Sequence, residues 1–157
     1  MLEIERKFLM SGFPEGLELL SEIYIEQGYV SFDPEVRIRK AVVLENGQEE
    51  YYLTIKGEGD LARREIETAI TREFYEDTAD FLGRTVVKKD YKKYKFGSWE
   101  LEVSLVDAGT DWEFYYGEIE FPTEEEANAF ELPDFLGREI TYDAYYKMKN
   151  FWKRTRM

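Results

Sequence analysis

The chain has 157 residues, and 34 acidic against 21 basic side chains give it a net charge of −13. This length is enough to bury a substantial core, so we expect a single domain over residues 1–157. So acidic a protein lacks the basic surface that extended nucleic acids require, although a small polyanion can still bind in a local basic pocket.

The sequence contains neither cysteine nor histidine. This excludes disulfides, zinc sites built on these ligands and every histidine-dependent catalytic triad. A bound metal would need oxygen ligands, which favours Mg²⁺, Mn²⁺ or Ca²⁺. The chain starts directly in a predicted strand without a signal peptide, and no apolar run reaches membrane-spanning length. We therefore expect a cytoplasmic protein with no membrane partner.

Alternation of apolar and polar residues predicts many short strands and few helices. The predicted strands cover 2–9, 22–31, 35–44, 49–57, 62–68, 85–95, 98–106 and 113–121. The predicted helices cover 71–82 with a Thr71 cap, 123–131 from Thr123, and 141–155 with a Thr141 cap. Turn residues lie at 46–47, 57–60 and 96–98. The pattern predicts an α+β fold, a closed antiparallel β-barrel of about eight strands that encloses a charged tunnel, with flanking helices and a C-terminal helix.

Pairs of glutamates two residues apart recur on four of the predicted strands. A single pair of this kind is more typical of a solvated face. Four pairs, each flanked by apolar residues, favour a shared interior face, since side chains two apart lie on one side of a strand. There they could converge on a divalent cation. The acidic set is Glu3, Glu5, Glu65, Glu67, Glu100, Glu102, Glu118 and Glu120.

Basic residues show the same spacing. Arg37 and Arg39 flank Ile38, and Lys7 shares a face with Glu3 and Glu5. Arginine forks suit phosphate oxygens, and a lysine such as Lys56 supplies a point charge. Salt bridges to the neighbouring glutamates are the alternative, and ion pairs of the empty state could yield to phosphate when it binds.

The hairpin around Gly97 decides which lysines of its first strand face inward. A two-residue Phe96-Gly97 turn would pair Lys95 with Ser98 and Lys93 with Glu100. It would place Lys89, Tyr91 and Lys93 inward with Glu100 and Glu102. A three-residue loop would reverse this choice.

The colinear series of motifs resembles the CYTH superfamily, the triphosphate tunnel metalloenzymes, over nearly the whole chain. The matching residues are Glu3-x-Glu5-x-Lys7, Arg37-x-Arg39, Leu53-Thr54-Ile55-Lys56-Gly57, Arg64-Glu65-Ile66-Glu67, Trp99-Glu100-Leu101-Glu102, Gly117-Glu118-Ile119-Glu120 and the block from Pro133 to Tyr146. Relatives often have Lys-x-Arg where this chain has the lysine-rich run 88–93, and Asn where it has Lys147.

The resemblance implies a tunnel that binds a triphosphate together with Mg²⁺ or Mn²⁺. The implied metal ligands are Glu3, Glu5, Glu118 and Glu120. The implied phosphate-binding residues are Lys7, Arg37, Arg39 and Lys56, to which the inward register adds Lys89 and Lys93. The residues that would orient water or a second metal are Glu65, Glu67, Glu100 and Glu102.

The function expected from this resemblance is metal-dependent hydrolysis of inorganic triphosphate to pyrophosphate and phosphate, with ATP or another nucleoside triphosphate and thiamine triphosphate as further possible substrates. Without histidine, water must be activated by a carboxylate, a second metal or a lysine of lowered pKa. A class IV-type adenylyl cyclase and a non-catalytic polyphosphate- or nucleotide-binding module are the alternatives. The aromatic content also allows a homodimer.

Overall fold

A computed structural model describes residues 1–157, and its strands form one closed barrel. The strands are β1 (Leu2–Met10), β2 (Leu19–Phe32), β3 (Glu35–Val43), β4 (Glu49–Lys56), β5 (Ala62–Ala69), β6 (Val87–Phe96), β7 (Trp99–Val106) and β8 (Phe114–Glu120). Around the barrel their order is β1-β5-β4-β3-β2-β6-β7-β8, and every neighbouring pair is antiparallel. The predicted fold class is confirmed.

Alternation along each strand divides the barrel wall into an apolar outer face and a polar inner face. On β1, Ile4 and Phe8 point outward and are buried in the largest apolar cluster, which also contains Leu101 and Ile119. Glu3, Glu5 and Lys7 point into the lumen. The main hydrophobic core therefore lies outside the barrel wall, under the helices and loops, and leaves the lumen free for charged groups.

Two helices cover the outside of the barrel, close to their predicted positions. Helix α1 (Arg72–Leu82) begins at Thr71, whose hydroxyl accepts a 3.0 Å hydrogen bond from the Phe74 amide. Helix α2 (Glu124–Ala129) begins at Thr123 in the same way. Both caps satisfy amides that a helix start leaves without partners. No helix of the protein is long and apolar enough to span a membrane.

The predicted helix over 141–155 is wrong in its first half. A short 3₁₀ helix (Ala144–Tyr146) precedes α3 (Met148–Arg156), and Lys147 between them has an extended backbone. Thr141 does not cap a helix, because its hydroxyl accepts a 2.9 Å hydrogen bond from the Lys7 amide and donates to Glu139. Tertiary contacts of β1 thus override the local helix signal.

Helix α3 closes one end of the lumen. Its residues Phe151 and Trp152 form an apolar cluster with Tyr29, Val106 and Tyr116, which lie on the lumen face of β2, β7 and β8. We call this group the C-terminal cluster. Because it fills that end of the barrel with apolar side chains, the charged lumen residues lie between it and the opposite end.

The hairpin between β6 and β7 has a different turn from the one predicted. Phe96 pairs with Trp99, so the two turn residues are Gly97 and Ser98, and Gly97 has a φ of 59°. Lys93 therefore pairs with Glu102 instead of Glu100. Each pairing moves by two residues, an even number, so Lys89 and Glu102 still face the lumen as predicted.

A buried ion pair fixes the end of α3 to the barrel. Arg156 donates a 2.6 Å hydrogen bond to Asp107, and its other nitrogens donate to the carbonyls of Thr85 and Val86. Asp107 also accepts hydrogen bonds from the Trp112 indole and the Lys88 amide. Loss of this carboxylate would leave the Arg156 guanidinium buried without a counter-charge.

Asp107→Ala is expected to lower the free energy of unfolding by about 3 kcal/mol, because a buried pair loses one partner. Asp111→Ala, on an exposed position of the same loop, is the control and should change it by less than about 0.5 kcal/mol. Urea denaturation measures both. Equal stability of the two variants would show that the Arg156 contact does not stabilise the fold.

Candidate active site

The barrel lumen contains a cavity of about 290 Å³. Its wall holds most of the side chains that the sequence pattern predicts for the site: Glu3, Glu5, Lys7, Arg37, Arg39, Lys56, Glu67, Lys89, Glu102, Glu118 and Glu120. These residues come from seven of the eight strands, so only the closed barrel brings them together.

Three predicted site residues do not line this cavity. Glu65 shares the inner face of β5 with Arg63 and Glu67 but lies outside the cavity lining, with a carboxylate oxygen 3.9 Å from the Lys56 ammonium. Lys93 and Glu100 form a 3.3 Å ion pair with each other, and the side chain of Glu100 is 56% exposed. Both belong to the rim near the β6–β7 turn, where water screens their charges.

Three carboxylates meet in the lumen near the N-terminus of β1. Oxygens of Glu3, Glu5 and Glu120 all lie within 4.8 Å of one another, and we call them the carboxylate triad. Antiparallel pairing of Glu5 with Glu120 produces this approach. Burial, and then the charges of Glu118 and Glu3, raise the pKa of Glu5 well above its usual value. Such crowding of like charges fits a divalent cation, which would neutralise them.

The pKa of Glu118 is lowered, whereas those of Glu3, Glu5 and Glu120 are raised. Burial opposes its ionisation, yet the charge of Lys7 and a hydrogen bond from Glu5 lower its pKa to about 2. The two pKa values shift in opposite directions, because Lys7 favours the charged form of Glu118 whereas the charges of Glu118 and Glu3 disfavour that of Glu5. A divalent cation would offset the repulsion between these carboxylates, so the donor set fits a metal ion.

Seven cationic side chains line the same cavity, and three of them have a carboxylate partner: Lys56, Arg63 with Glu35, and Lys147 with Asp60. Lys56 lies 3.0 Å from Glu3 and 3.9 Å from Glu65. The other four have no carboxylate within salt-bridge distance, and we call them the unpaired lumen cations: Lys7, Arg37, Arg39 and Lys89. The alternative of ion pairing with neighbouring glutamates thus applies to Lys56 but not to the rest of the basic set.

Hydrogen bonds also leave these cations incompletely satisfied. The Nε atoms of Arg37 and Arg39 are buried and have no hydrogen-bond partner. Arg39 donates one 3.1 Å hydrogen bond to Gln27. A buried charged donor without an acceptor costs free energy, and an anion with several oxygens would supply the missing acceptors.

The pKa values of the lysines record the same repulsion. Burial, followed by the charges of Arg39 and Arg37, lowers the pKa of Lys89 well below its usual value. Burial also lowers the pKa of Lys7. A polyanion in the lumen would reverse these effects, because it would favour the protonated form of both lysines.

A separate carboxyl group combines burial with a pKa near neutrality. Burial, followed by the charge of Glu118, raises the pKa of Glu102 to about 7, although a hydrogen bond from the Tyr91 hydroxyl acts in the opposite direction. Glu67, in contrast, accepts a 2.8 Å hydrogen bond from Thr54. A pKa near neutrality suits Glu102 to taking up a proton.

Sequence reasoning missed several side chains of the site. Glu35 and Arg63 form a 3.3 Å ion pair on the lumen wall. Tyr29, directly opposite Arg37, and Tyr116 also line the lumen. Tyr29 lies two residues after Gln27, and Tyr116 lies two residues before Glu118. Strand alternation could therefore have placed both tyrosines on the inner face. Glu35 and Arg63 lie at strand ends, where alternation is too short to indicate a face.

A comparison with protein-family models matches the CYTH domain over residues 1–155. The chain is 36% identical to the inorganic triphosphatase of Nitrosomonas europaea, with 95% of each chain covered. It is 32% identical to the inorganic triphosphatase of Acetivibrio thermocellus, covering 96% of this chain and 93% of the relative. Among solved structures, the inorganic triphosphatase NE1496 matches with a TM-score of 0.63 at 31% identity, covering 95% of this chain and 93% of the other. The likeness includes both the barrel and the C-terminal segment.

Glu102→Gln is expected to flatten the pH dependence of stability in EDTA. Between its ordinary pKa of 4.5 and about 7, the native carboxyl keeps a proton that the unfolded chain releases. The native state then binds more protons, so wild-type stability falls as the pH rises through this window. Melting temperatures between pH 5 and 8 measure the effect. Glu100→Gln, with its exposed side chain, should behave like the wild type, and a parallel fall in both variants would contradict the assignment.

Proposed function

The chain belongs to the CYTH domain family, and on this premise we propose that it hydrolyses inorganic triphosphate to pyrophosphate and phosphate inside the barrel. One observation carries the proposal: the unpaired lumen cations lie in the same cavity as the carboxylate triad. Such a site can hold a polyanion and a divalent cation side by side. The names of the two relatives support the same reaction.

We propose inorganic triphosphate as the main substrate because of the size of the cavity. A volume of about 290 Å³ lies just below the about 300–1,000 Å³ that pockets for drug-sized ligands have. A compact inorganic chain fits this space better than a whole nucleotide. Hydrolysis of ATP or thiamine triphosphate, and formation of a homodimer, stay predictions.

The unpaired lumen cations and Lys56 would hold the phosphate oxygens. The guanidinium groups of Arg37 and Arg39 can each present two donors to a phosphate, and the ammonium groups add point charges. In the lumen these charges are fixed before substrate enters. They would therefore stabilise the negative charge that develops in the transition state without reorganisation.

The carboxylate triad and Glu118 would hold the metal ion, for which we propose Mg²⁺ or Mn²⁺ because all the donors are carboxylate oxygens. When bound, the ion supplies positive charge that polarises the phosphate oxygens. Protonation of Glu5, whose pKa is raised by burial and by the charges of Glu118 and Glu3, would compete with metal binding. The affinity for metal should therefore increase with pH.

Glu102 would accept the proton of the attacking water. Its pKa of about 7 is near the value that general-base catalysis at neutral pH requires. The Tyr91 hydroxyl, which donates to Glu102, would hold the carboxyl group in position. Glu67 lines the same cavity and would orient the water.

The experiment that tests the proposal is incubation of the protein with inorganic triphosphate or ATP in Mg²⁺, Mn²⁺ or EDTA, with products identified by ³¹P NMR. Equal amounts of pyrophosphate and phosphate from triphosphate, abolished by EDTA, are expected. Cyclic AMP with pyrophosphate from ATP would identify a cyclase instead. Binding of triphosphate without any product would identify a binding module.

Glu5→Gln is expected to lower metal-dependent turnover at least 100-fold, because it removes a ligand charge at nearly constant shape. Its melting temperature in EDTA should not fall, since a crowded buried carboxyl is removed. Glu15→Gln, on an exposed position, is the control. Wild-type rates of Glu5→Gln across a Mn²⁺ titration would remove Glu5 from the metal site.

Arg39→Met is expected to weaken triphosphate binding about 10- to 100-fold, as loss of charged hydrogen bonds predicts. The apo protein should become more stable, because a cation without a carboxylate partner leaves the lumen. Calorimetric titration in EDTA and urea denaturation measure the two effects. A variant that binds triphosphate as tightly as the wild type would show that Arg39 does not contact the substrate.

A further inference from the structure

Tyr116 on β8 lies between two of the unpaired lumen cations. Its hydroxyl oxygen is 2.6 Å from the Lys89 ammonium. The ammonium of Lys7 lies over its ring, 4.2 Å from the centroid. The tyrosine itself is only 2% exposed. One side chain thus offers its two electron-rich features, the oxygen lone pair and the ring face, to two different lysines.

Tyr116 is the single protein group that accepts a hydrogen bond from the Lys89 ammonium. Lys89 is 3% exposed and has no carboxylate partner. Its remaining two N–H donors are therefore free for a ligand. Without the tyrosine oxygen, this ammonium would lose its hydrogen bond and keep only its contact with the Tyr116 ring, whose centroid is 5.2 Å away.

Lys7 is held differently. It donates a 2.9 Å hydrogen bond to the Tyr146 carbonyl and is attracted by the ring of Tyr116. Two ammonium groups that contact the same side chain repel each other. A neutral ring between them provides attraction to both without the competing negative charge of a carboxylate, which would repel a phosphate.

We propose that Tyr116 is a positioning residue that orients Lys7 and Lys89 toward the triphosphate. This inference rests on the proposed function of the same lumen. The hydroxyl contacts Lys89 alone, whereas the ring lies 4.2 Å from the Lys7 ammonium and 5.2 Å from that of Lys89. Removal of the hydroxyl therefore tests the hydrogen bond to Lys89, and removal of the ring tests both lysines.

A purely structural role is the alternative, since Tyr116 also packs in the C-terminal cluster. Packing requires an aromatic ring of this size but no hydroxyl. It therefore predicts that Tyr116→Phe changes nothing except stability. Positioning predicts a loss of activity that depends on the presence of Lys89.

The test compares kcat/KM for triphosphate of Tyr116→Phe and Tyr116→Leu. The Phe variant keeps the ring under Lys7 and is expected to lose about tenfold, while the Leu variant loses both contacts and should fall about 100-fold. The matched control is Tyr115→Phe on the next residue of β8, which points outward against Phe13. This control should keep the wild-type value within about twofold.

A double-mutant cycle with Lys89→Ala decides between the two roles. If Tyr116 acts through Lys89, the Phe substitution should change kcat/KM by less than about twofold when Lys89 is already absent. An equal loss in both backgrounds, or wild-type activity of Tyr116→Phe, would overturn the proposal. Should the Leu variant not fold, the Phe variant and the cycle still decide.

The same double-mutant cycle can be applied to the dissociation constant of triphosphate, measured by calorimetry in EDTA. This measurement needs no turnover. If the wild-type protein binds triphosphate but does not hydrolyse it, the proposed reaction fails and the positioning role is judged from the dissociation constants. Weaker binding by Tyr116→Phe only in the presence of Lys89 would support the role. Additive changes in the two variants would overturn it.

Discussion

Repulsion among the unpaired lumen cations is the constraint on which the rest of the structure depends. They face a cavity that contains Glu118 and the carboxylate triad, yet none of them forms an ion pair there. Cations held in this way oppose folding, so the free energy of folding must come from elsewhere. The apolar clusters on the outside of the barrel and under α3 supply it. Because the lumen holds unpaired cations that oppose folding, the stabilising apolar core lies outside the barrel wall and under α3.

The charges of the lumen are arranged so that the two sets do not neutralise each other. Lys56 connects the two sets, because its ammonium lies 3.0 Å from Glu3 and 3.9 Å from Glu65. Apart from this contact, the unpaired lumen cations remain available to an anion, and the lumen carboxylates remain available to a metal ion. Rigid antiparallel pairing keeps them apart, because any shift of register by one residue would turn a strand's whole charged set outward.

Strand positions, the closed barrel and most of the lumen wall could be predicted from the sequence, because period-two alternation encodes a face directly. The inward face of β6 was also predicted correctly although the turn was not, since the pairing shifted by an even number of residues. The break in the C-terminal helix at Lys147 could not be predicted. It depends on contacts of Lys147 with Asp60 and the Gly59 carbonyl, which come from a distant loop. Ion pairs of the lumen cations also depend on contacts between residues far apart in the chain, so the sequence could not decide which cations form them.

The most direct test of this account is the urea midpoint of the wild-type protein in EDTA at increasing concentrations of inorganic triphosphate. If the unpaired lumen cations bind the triphosphate in the folded state alone, the free energy of unfolding should rise by about 2.7 kcal/mol at 100 times the dissociation constant. Sulfate at equal ionic strength serves as the control and should give a much smaller rise. No stabilisation beyond that of sulfate would contradict the central claim that these cations form a triphosphate site.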